Sequence, residues 1–320
     1  MKISLITPAG KQSKNGNRTT AERWARLLRQ SGHHVRIGTK FGGEAADLMI
    51  ALHARHSAGA ARRYREMAPR GPLIVGLGGT DVNTFLTTER PLTLGTMKMA
   101  DALICLHDLI GKELPPLMRR KLHVVRQSAT PLSRPRQPSK RYFDICVIGH
   151  LRAEKDPFRA ALAARQMPEH SKLRVLHFGK GHSKEFSDQA LAEMAINQRY
   201  LWQGAVPNWR VRREFVKTQA MVISSIQEGG ANVVSEAIVA GVPVIASDIP
   251  GNIGLLGPDY PGYFPVGNAA ALAGLLMRAE AGPQFLQSLA DHNRKLAPLF
   301  RPSHERAALA GIVKSVTRPR

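Results

Sequence analysis

The sequence predicts two α/β domains in tandem, each built on a parallel sheet with helices on both faces. Three observations lead to this fold class. Short apolar segments alternate with amphipathic ones, a Pro- and Arg-rich segment at 130–141 interrupts the alternation, and the alternation then restarts. A chain of 320 residues is also long for one compact domain and comfortable for two. We therefore expect an amino-terminal domain over 1–138 and a carboxy-terminal domain over 139–320.

The first half opens with a strand-like segment at 2–7 and an amphipathic helix. Thr19 and Glu22 have the spacing of a capping box, so this helix is expected to begin at Thr19. Its apolar positions follow the spacing i, i+3, i+4, i+7 at Ala21, Trp24, Ala25 and Leu28. Further strands are expected at 35–38, 48–52, 73–77, 102–106 and 123–125.

The second half repeats the pattern. Strands are expected at 143–148, 173–178, 200–202, 221–224 and 242–246, and 305–316 is expected to form a helix that returns to the first domain. Ligands of parallel sheets bind beyond the carboxyl ends of the strands. We therefore expect the chemistry in the loops that follow strands.

Composition restricts the partners. The formal net charge of +22 attracts anions, but the 46 Lys and Arg residues are spread along the chain and aromatic residues make up only 6%. We therefore expect no nucleic-acid partner. No apolar run approaches the roughly 20 residues that a membrane helix needs. Cys105 and Cys146 lie far apart in apolar segments, so a cytoplasmic location without disulfides is the default expectation.

A strand–turn–helix unit at 224–246 carries the strongest motif. We expect Asn232 to be the N-cap of its helix and Gly241 to end that helix, since Pro243 prevents continuation. Gly229 and Gly230 let the backbone approach a ligand closely, and the amides of a helix amino terminus favour a phosphate.

Two carboxylates of this unit are expected to face the same pocket. Glu228 lies in the turn and Glu236 lies on the helix. Carboxylates can accept hydrogen bonds from the vicinal hydroxyls of a sugar or a ribose.

A second motif follows the strand at 143–148. It ends at Gly149 and delivers Arg152 and Lys155 just before a helix that is expected to begin near Pro157. Cleavage of a sugar–diphosphate bond builds negative charge on the leaving group, and two cations can stabilise that charge.

These motifs together resemble the family-4-type retaining glycosyltransferases. The segments are Gly149-His-Leu-Arg-Ala-Glu-Lys155, Phe178-Gly-Lys-Gly181 and Glu228-x7-Glu236, and the resemblance covers nearly the whole second half. It implies the GT-B fold, in which two Rossmann-like α/β domains face each other across a cleft. It also implies a nucleotide-sugar co-substrate and no metal or other cofactor.

The resemblance also implies roles for individual residues. In that family the arginine and lysine hold the donor diphosphate, the second glutamate holds the ribose and the first faces the sugar. Arg152, Lys155 and Glu228 are therefore the expected catalytic residues. The expected donor-binding residues are Gly149, Gly179, Gly229, Gly230, Ala231, Asn232, Val233 and Glu236.

Three segments of the first half resemble the selenosugar synthases of bacterial selenoneine biosynthesis. They are Ser13–Ala25, Ala51–Ser57 and Gly78–Asp81. This resemblance implies transfer of N-acetylglucosamine or glucose from a UDP-sugar to selenophosphate, giving a 1-seleno-sugar. Gly16 stands alone where the broader family has a glycine pair, and the chain is short; both features fit a small acceptor.

The acceptor side is expected in the first half. The turn at 15–20 is a candidate anion site, because Lys14 and Arg18 lie near a helix amino terminus. His53 follows a strand and is a candidate acid–base or acceptor-side group. The full expected set is Asn15, Gly16, Asn17, Arg18, Thr19, Thr20, His53, Thr80 and Asp81.

No metal site is predicted, since His53 with His56, and Cys105 with His107, lack further ligands at suitable spacing. Two other functions stay open. One is the same donor chemistry on an ordinary carbohydrate, thiol or lipid acceptor. The more remote one is a basic nucleic-acid-binding protein.

Overall fold

The computed structural model describes residues 1–13 and 16–318, and it separates into two compact units. The first unit comprises Met1–Ser128 together with Arg301–Arg320, and the second comprises Ala129–Phe300. The sequence placed the division at 138–139, whereas the structure places it at 128–129.

Arg136 is one of the residues that hold the segment before residue 139 against the second unit. The Pro-rich segment has little apolar surface, but the Arg136 guanidinium donates hydrogen bonds to the carbonyl oxygens of Phe215, Thr218 and Gly241 at 3.2, 2.5 and 2.7 Å. Three neutral acceptors satisfy most of the donors of this half-buried guanidinium. The segment before residue 139 is therefore fastened to the second unit.

The described part of the first unit contains a six-stranded parallel sheet in the order β2-β1-β3-β4-β5-β6. The strands are β1 (Lys2–Ile6), β2 (His34–Gly38), β3 (Leu48–Leu52), β4 (Leu73–Gly76), β5 (Ala102–Cys105) and β6 (Leu122–Val124). Successive side chains enter cores on opposite faces, since Ile3 and Leu5 pack in one core and Ile6 in the other. Helices therefore cover both faces, as a parallel sheet requires.

The helices before residue 128 include a first helix that begins earlier than expected. They are α1 (Gly16–Gln30), α2 (Ala58–Met67), α3 (Leu86–Thr88), α4 (Arg90–Met99), α5 (Ile110–Glu113) and α6 (Pro116–Arg119), with a π-helical turn over Asp81–Phe85. Because α1 begins at Gly16, the expectation that Thr19 is its N-cap was wrong. Glu22 accepts a hydrogen bond from the Arg18 Nε at 2.7 Å, an i,i+4 pair inside the helix.

The second unit contains the other six-stranded parallel sheet, in the order β12-β11-β10-β7-β8-β9. Its strands are β7 (Phe143–Ile148), β8 (Leu173–Phe178), β9 (Tyr200–Trp202), β10 (Ala220–Ile223), β11 (Val244–Ser247) and β12 (Tyr263–Phe264). Its helices are α7 (Arg159–Ala164), α8 (Lys184–Ile196), α9 (Asn208–Lys217), α10 (Asn232–Ala240), α11 (Pro250–Leu256), α12 (Ala269–Ala281) and α13 (Pro283–Leu296), with 3₁₀ turns at Ala153–Lys155 and Ala297–Phe300.

The start of α10 differs from the expectation by one residue. Ala231 occupies the N-cap position and Asn232 is the first helical residue, so the assignment of Asn232 as the N-cap was wrong. The end of α10 matches the expectation, because Gly241 adopts a left-handed conformation with φ of 68°.

The last helix, α14 (Pro302–Thr317), belongs to the first unit and packs against α1. Leu309 and Val313 lie in the same core as Trp24. At the centre of this contact, the fully buried Glu305 carboxylate accepts hydrogen bonds from Trp24 Nε1 at 2.8 Å and Arg23 Nε at 3.1 Å. It also accepts one from the Ser128 amide at 2.8 Å.

In the part of the chain that the structure describes, no helix is long and apolar enough to cross a membrane.

We predict that Glu305→Ala lowers the free energy of unfolding of the first unit by about 3–5 kcal/mol, because it leaves the buried donors around Glu305 without their carboxylate. Chemical denaturation monitored by circular dichroism measures the change. The matched control is Glu22→Ala, which removes the i,i+4 ion pair with Arg18 at an exposed position of the same unit and should cost less than about 0.5 kcal/mol. Equal losses in the two variants would contradict the role assigned to Glu305.

Candidate functional site

Strand order places the candidate residues. In the second sheet, the chain runs outward from β7 through β8 to β9 on one side and from β10 through β11 to β12 on the other. The loops after β7 and β10 therefore diverge, which leaves a crevice at their carboxyl ends. The first sheet has the equivalent switch between β1 and β3.

An ion pair joins the loops after β7 and β10. The Lys155 ammonium contacts the Glu228 carboxylate, and both side chains are largely buried. Ser225 donates its hydroxyl hydrogen to the same Glu228 oxygen at 2.7 Å. The structure thus brings together two of the three residues that the sequence identified as catalytic.

Backbone contacts hold the two loops in register. The Ser224 hydroxyl donates to the Asp156 carbonyl oxygen at 2.9 Å, and the Ile226 amide donates to the Glu154 carbonyl oxygen at 2.9 Å. Asp156 itself adopts a left-handed conformation with φ of 44°, which is uncommon for a residue with a side chain. The loop after β7 therefore turns sharply where it contacts the loop after β10.

Gly251 fixes the far side of Glu228. A Cβ atom on this residue would lie 2.4 Å from the Glu228 carbonyl oxygen and 2.8 Å from its Cβ. Only glycine therefore allows the first turn of α11 to pack this closely against the turn that carries Glu228. Ser247 adds a hydrogen bond from its hydroxyl to the Ser225 carbonyl oxygen at 2.6 Å.

The ends of β7 and β8 are also in close contact. A Cβ atom on Gly179 would lie 1.9 Å from the Gly149 carbonyl oxygen. That same oxygen lies 3.1 Å from Nε2 of His177, a buried side chain whose pKa burial lowers to about 4. His177 is therefore neutral at pH 7 and adds no charge to the site.

A group of cations surrounds His150 at these strand ends. Burial lowers the pKa of His150, and positive charge on Arg152, Lys180, Lys155 and His182 lowers it further. The Lys180 amide donates to His150 Nδ1 at 3.2 Å. The local potential is therefore positive, as an anion site requires.

Arg152 lies at the outer side of this group. Its side chain is about a third exposed, and its Nε lies 3.1 Å from a Glu154 carboxylate oxygen without the alignment of a hydrogen bond. Charge attraction to Glu154 therefore holds the guanidinium, while its Nε–H makes no hydrogen bond.

The turn before α10 supplies backbone donors. Gly230 has a φ of 116°, which a residue with a side chain rarely adopts, and Gly229 and Ala231 complete the turn. The amides of Asn232 and Val233 lie in the first turn of α10, at the positive end of the helix dipole. Glu236 lies further along α10 and is half-buried.

The structure describes five of the six acceptor-side candidates at the start of α1. Asn15 lies outside the described residues. Gly16, Asn17, Arg18 and Thr19 form the first turn of α1. Thr20 is buried, and its hydroxyl accepts a hydrogen bond from Gln127 Nε2 at 2.8 Å, so this side chain already has a partner within the first unit.

The other three acceptor-side candidates form one cluster at the carboxyl ends of β3 and β4. His53 Nε2 lies 2.7 Å from the Thr80 hydroxyl oxygen, and His53 Nδ1 lies 2.9 Å from an Asp81 carboxylate oxygen. His53 and Asp81 are buried, whereas Thr80 is exposed. His53 has a φ of 72°, a strained conformation for a residue with a Cβ.

Backbone amides hold the Asp81 carboxylate in place. It accepts hydrogen bonds from the amides of Ala54 at 2.7 Å, Arg55 at 2.9 Å and Gly78 at 2.8 Å. These bonds connect the two loops and fix the left-handed turn at His53. The cluster is therefore rigid and polar, and it sits at the carboxyl ends of β3 and β4, one strand away from the switch between β1 and β3.

Sequence reasoning missed several residues of the second-unit site. Lys180 and His182 lie in or beside the quoted Phe178-Gly-Lys-Gly181 segment, so their position after a strand was a usable signal. Ser225 and Gly251 gave no such signal, because their importance depends on contacts that only the fold creates. Among residues 1–13 and 16–318, no group of three or more His, Cys, Asp or Glu side chains is arranged to hold a metal ion.

We predict that Lys180→Gln raises the pKa of His150, because it removes one of the positive charges that disfavour the imidazolium. Histidine ring titration by NMR measures the shift, and His150→Gln identifies the resonance by its loss. Lys184→Gln, which removes an exposed cation paired with Asp188, should leave the titration unchanged. An unaltered His150 titration in Lys180→Gln would show that Lys180 does not contribute to this potential.

Comparisons with solved structures identify the fold. Anabaena Alr3699/HepE in complex with UDP is 15% identical with a TM-score of 0.81, and the match covers 98% of this chain and 100% of that one. Sucrose-phosphate synthase from Thermosynechococcus elongatus is 15% identical with a TM-score of 0.82 and 98% coverage of both chains. A glycosyltransferase from Rickettsia africae is 12% identical with a TM-score of 0.75, covering 100% and 99%. These likenesses show a two-domain α/β GT-B fold.

Comparison with family models identifies the family. No curated protein matches the chain in sequence. The family model described as glycosyl transferases group 1 matches residues 130–296, which is just over half of the chain and includes Arg152, Lys155, Glu228 and Glu236. The chain therefore belongs to the glycosyl transferases group 1 family.

Proposed function

We propose that this glycosyltransferase transfers a sugar from a UDP-sugar to selenophosphate and so forms a 1-seleno-sugar for selenoneine biosynthesis. The observation that supports binding of the donor is the ion pair between Lys155 and Glu228 beside the amino terminus of α10. Arg152 lies close to this pair in sequence. UDP and UDP-glucose are named in complexes of Anabaena Alr3699/HepE, which shares the fold. The sugar is N-acetylglucosamine or glucose.

Transfer of the sugar from the UDP-sugar requires stabilisation of the leaving diphosphate. When the bond between the anomeric carbon and the UDP oxygen breaks, negative charge grows on the diphosphate. Arg152 and Lys155 offset that charge together with the amides at the start of α10, an arrangement whose electrostatic effect is commonly worth several kcal/mol. In the same complex Glu228 accepts hydrogen bonds from the sugar, and Glu236 accepts them from the ribose.

The acceptor half needs a polar site for a small anion. The segments that resemble selenosugar synthases include both loops of the cluster formed by His53, Thr80 and Asp81. The strain at His53 supports a functional role, since such a conformation costs about 1–3 kcal/mol and persists only where the surroundings enforce it. When His53 Nε2 donates to the Thr80 hydroxyl oxygen, the exposed Thr80 hydroxyl hydrogen is left to donate to a selenophosphate oxygen.

The bond changes balance without a further co-reactant except water. Selenium attacks the anomeric carbon, the carbon–selenium bond forms and UDP leaves. Water then takes the phosphoryl group, so inorganic phosphate and the 1-seleno-sugar are released. Selenophosphate brings an anionic nucleophile and needs no general base, whereas an alcohol acceptor would need one.

The alternative is the same donor chemistry on an ordinary carbohydrate, thiol or lipid acceptor. It shares the site in the second unit and differs only in what the His53 cluster binds. A basic nucleic-acid-binding protein would not need the junction of Lys155 and Glu228. The cytoplasmic location that the cysteine content predicts is part of the proposal.

Mass spectrometry of reactions with several UDP-sugars, each with and without selenophosphate, tests the proposal. A product with the mass of a seleno-sugar and the release of UDP support it. UDP release that requires a carbohydrate, thiol or lipid and ignores selenophosphate would establish the alternative.

We predict that Arg152→Ala and Lys155→Ala each lower kcat by about tenfold to a thousandfold, because each removes a cation from the leaving diphosphate. Steady-state kinetics of UDP release measures the loss, and circular dichroism checks the fold. Lys184→Ala removes an exposed cation of the same unit and should keep the wild-type rate. Wild-type turnover by both site variants would remove these residues from the donor site.

We predict that Thr80→Val raises the KM for selenophosphate about tenfold, because it removes a hydrogen bond to a charged ligand. Thr80→Ser retains the hydroxyl and should stay close to wild type. Calorimetry should show equal UDP affinity in all three proteins. A loss of UDP affinity with unchanged acceptor KM would instead assign the cluster to the donor.

A further inference from the structure

One face of the second unit concentrates positive charge. Helix α9 buries Val211, Phe215 and Val216 and carries its cations on the outside. The segment 130–142 lies along this helix. The Arg212 guanidinium donates to the Thr130 carbonyl oxygen at 3.0 Å, and the Ser139 amide donates to the Lys217 carbonyl oxygen at 3.0 Å. We call the surface formed by 130–142 and 208–217 the basic face.

The basic face holds a disproportionate share of the charge of the chain. It carries eight cations and one carboxylate, Glu214, so its net charge is 8 − 1 = +7 out of the +22 of the whole chain. The cations are Arg134, Arg136, Lys140, Arg141, Arg210, Arg212, Arg213 and Lys217. Arg136 and Arg212 are bound to carbonyl oxygens, which leave their charges uncompensated.

An exposed tryptophan lies among these cations. Trp209 is 63% exposed in the first turn of α9 and lines a surface pocket with Arg210, Arg213, Glu214 and Lys217. The other two tryptophans are placed differently: Trp24 is buried, and Trp202 is half-buried with its Nε1 donating to the Gly179 carbonyl oxygen at 2.7 Å. The exposure of Trp209 is therefore a local feature that packing within the second unit does not explain.

We propose that the basic face docks the protein onto a bilayer rich in anionic phospholipid, with the Trp209 indole at the level of the headgroups. Tryptophan prefers this boundary, because one side of the indole is apolar and its N–H is polar. Each Lys or Arg near an anionic bilayer surface strengthens binding to that surface. The proposal concerns a surface outside the donor and acceptor residues and does not rest on the proposed function.

Two features favour a bilayer over a nucleic acid or a protein groove. Single-stranded nucleic acids need exposed aromatic rings on which bases can stack. The other aromatic side chain at the edge of this face is Tyr142. Its ring already has the guanidinium groups of Arg174 and Arg141 over it, at 3.6 and 5.0 Å from the ring centroid. Protein interfaces have an extended apolar centre, whereas Trp209 is a single exposed apolar side chain surrounded by charge. One indole within a ring of cations matches a lipid surface, which demands no shape complementarity.

Vesicle sedimentation tests the proposal. The full chain should bind vesicles of phosphatidylcholine with phosphatidylglycerol at low salt and should not bind vesicles of phosphatidylcholine alone. Binding should weaken as salt screens the charges. The tryptophan emission should shift to shorter wavelength on binding, and Trp209→Phe should abolish that shift because the other two tryptophans are already shielded.

Matched charge reversals distinguish binding through the basic face from attraction to the positive charge of the chain as a whole. Arg210→Glu with Arg213→Glu should lower the partition coefficient at least about a hundredfold. The control is Arg26→Glu with Arg62→Glu, which changes the net charge equally at exposed positions on α1 and α2 and should bind nearly as wild type. UDP release in solution should be unchanged in all variants, which shows that they are folded.

Three results would overturn the proposal: no binding to phosphatidylglycerol vesicles at low salt, equal losses in the two double variants, or binding to duplex DNA in preference to vesicles. The last result would identify a nucleic acid as the occupant of the basic face.

Discussion

Both sheets are parallel with helices on both faces, so their strands are mostly apolar and polar side chains collect in the loops where the strands end. This constraint decides where the chemistry of the molecule can lie. In the second unit, it brings the loops after β7 and β10 together, and the Lys155–Glu228 ion pair connects them. In the first unit, it brings His53, which follows β3, to Asp81, which follows β4.

The two sites achieve their rigidity by different means. Glu228 is held by a glycine contact and by Ser225, so close packing determines its position. Asp81 is held by three backbone amides, so hydrogen bonds determine the position of its partner His53. The Glu228 carboxylate can accept hydrogen bonds from a ligand in addition to those it already makes. The Asp81 carboxylate is saturated, and the polar group that its cluster exposes is the Thr80 hydroxyl, which contacts the His53 imidazole.

Periodicity predicted much of the fold. The bounds expected for β3, β7, β8 and β9 match the structure, because each strand is rich in apolar residues and lies between polar segments. The two-residue strand β12 was missed because it is too short to show a pattern. The start of α1 and the position of Arg136 were also not predicted, since both depend on partners that only the folded chain brings near. Ser225 and Gly251 were not predicted for the same reason. Lys155 and Glu228 were recognisable because each follows a predicted strand.

The Trp24–Glu305 hydrogen bond has a consequence for how the chain assembles. Its two residues are 281 positions apart, and α14 completes the core that α1 begins. The second unit is a single continuous segment that lies between the two parts of the first. During synthesis, the segment 129–300 can therefore complete its core while the earlier half still lacks its last helix. The first unit completes its core last, since this long-range contact must wait until α14 has been synthesised.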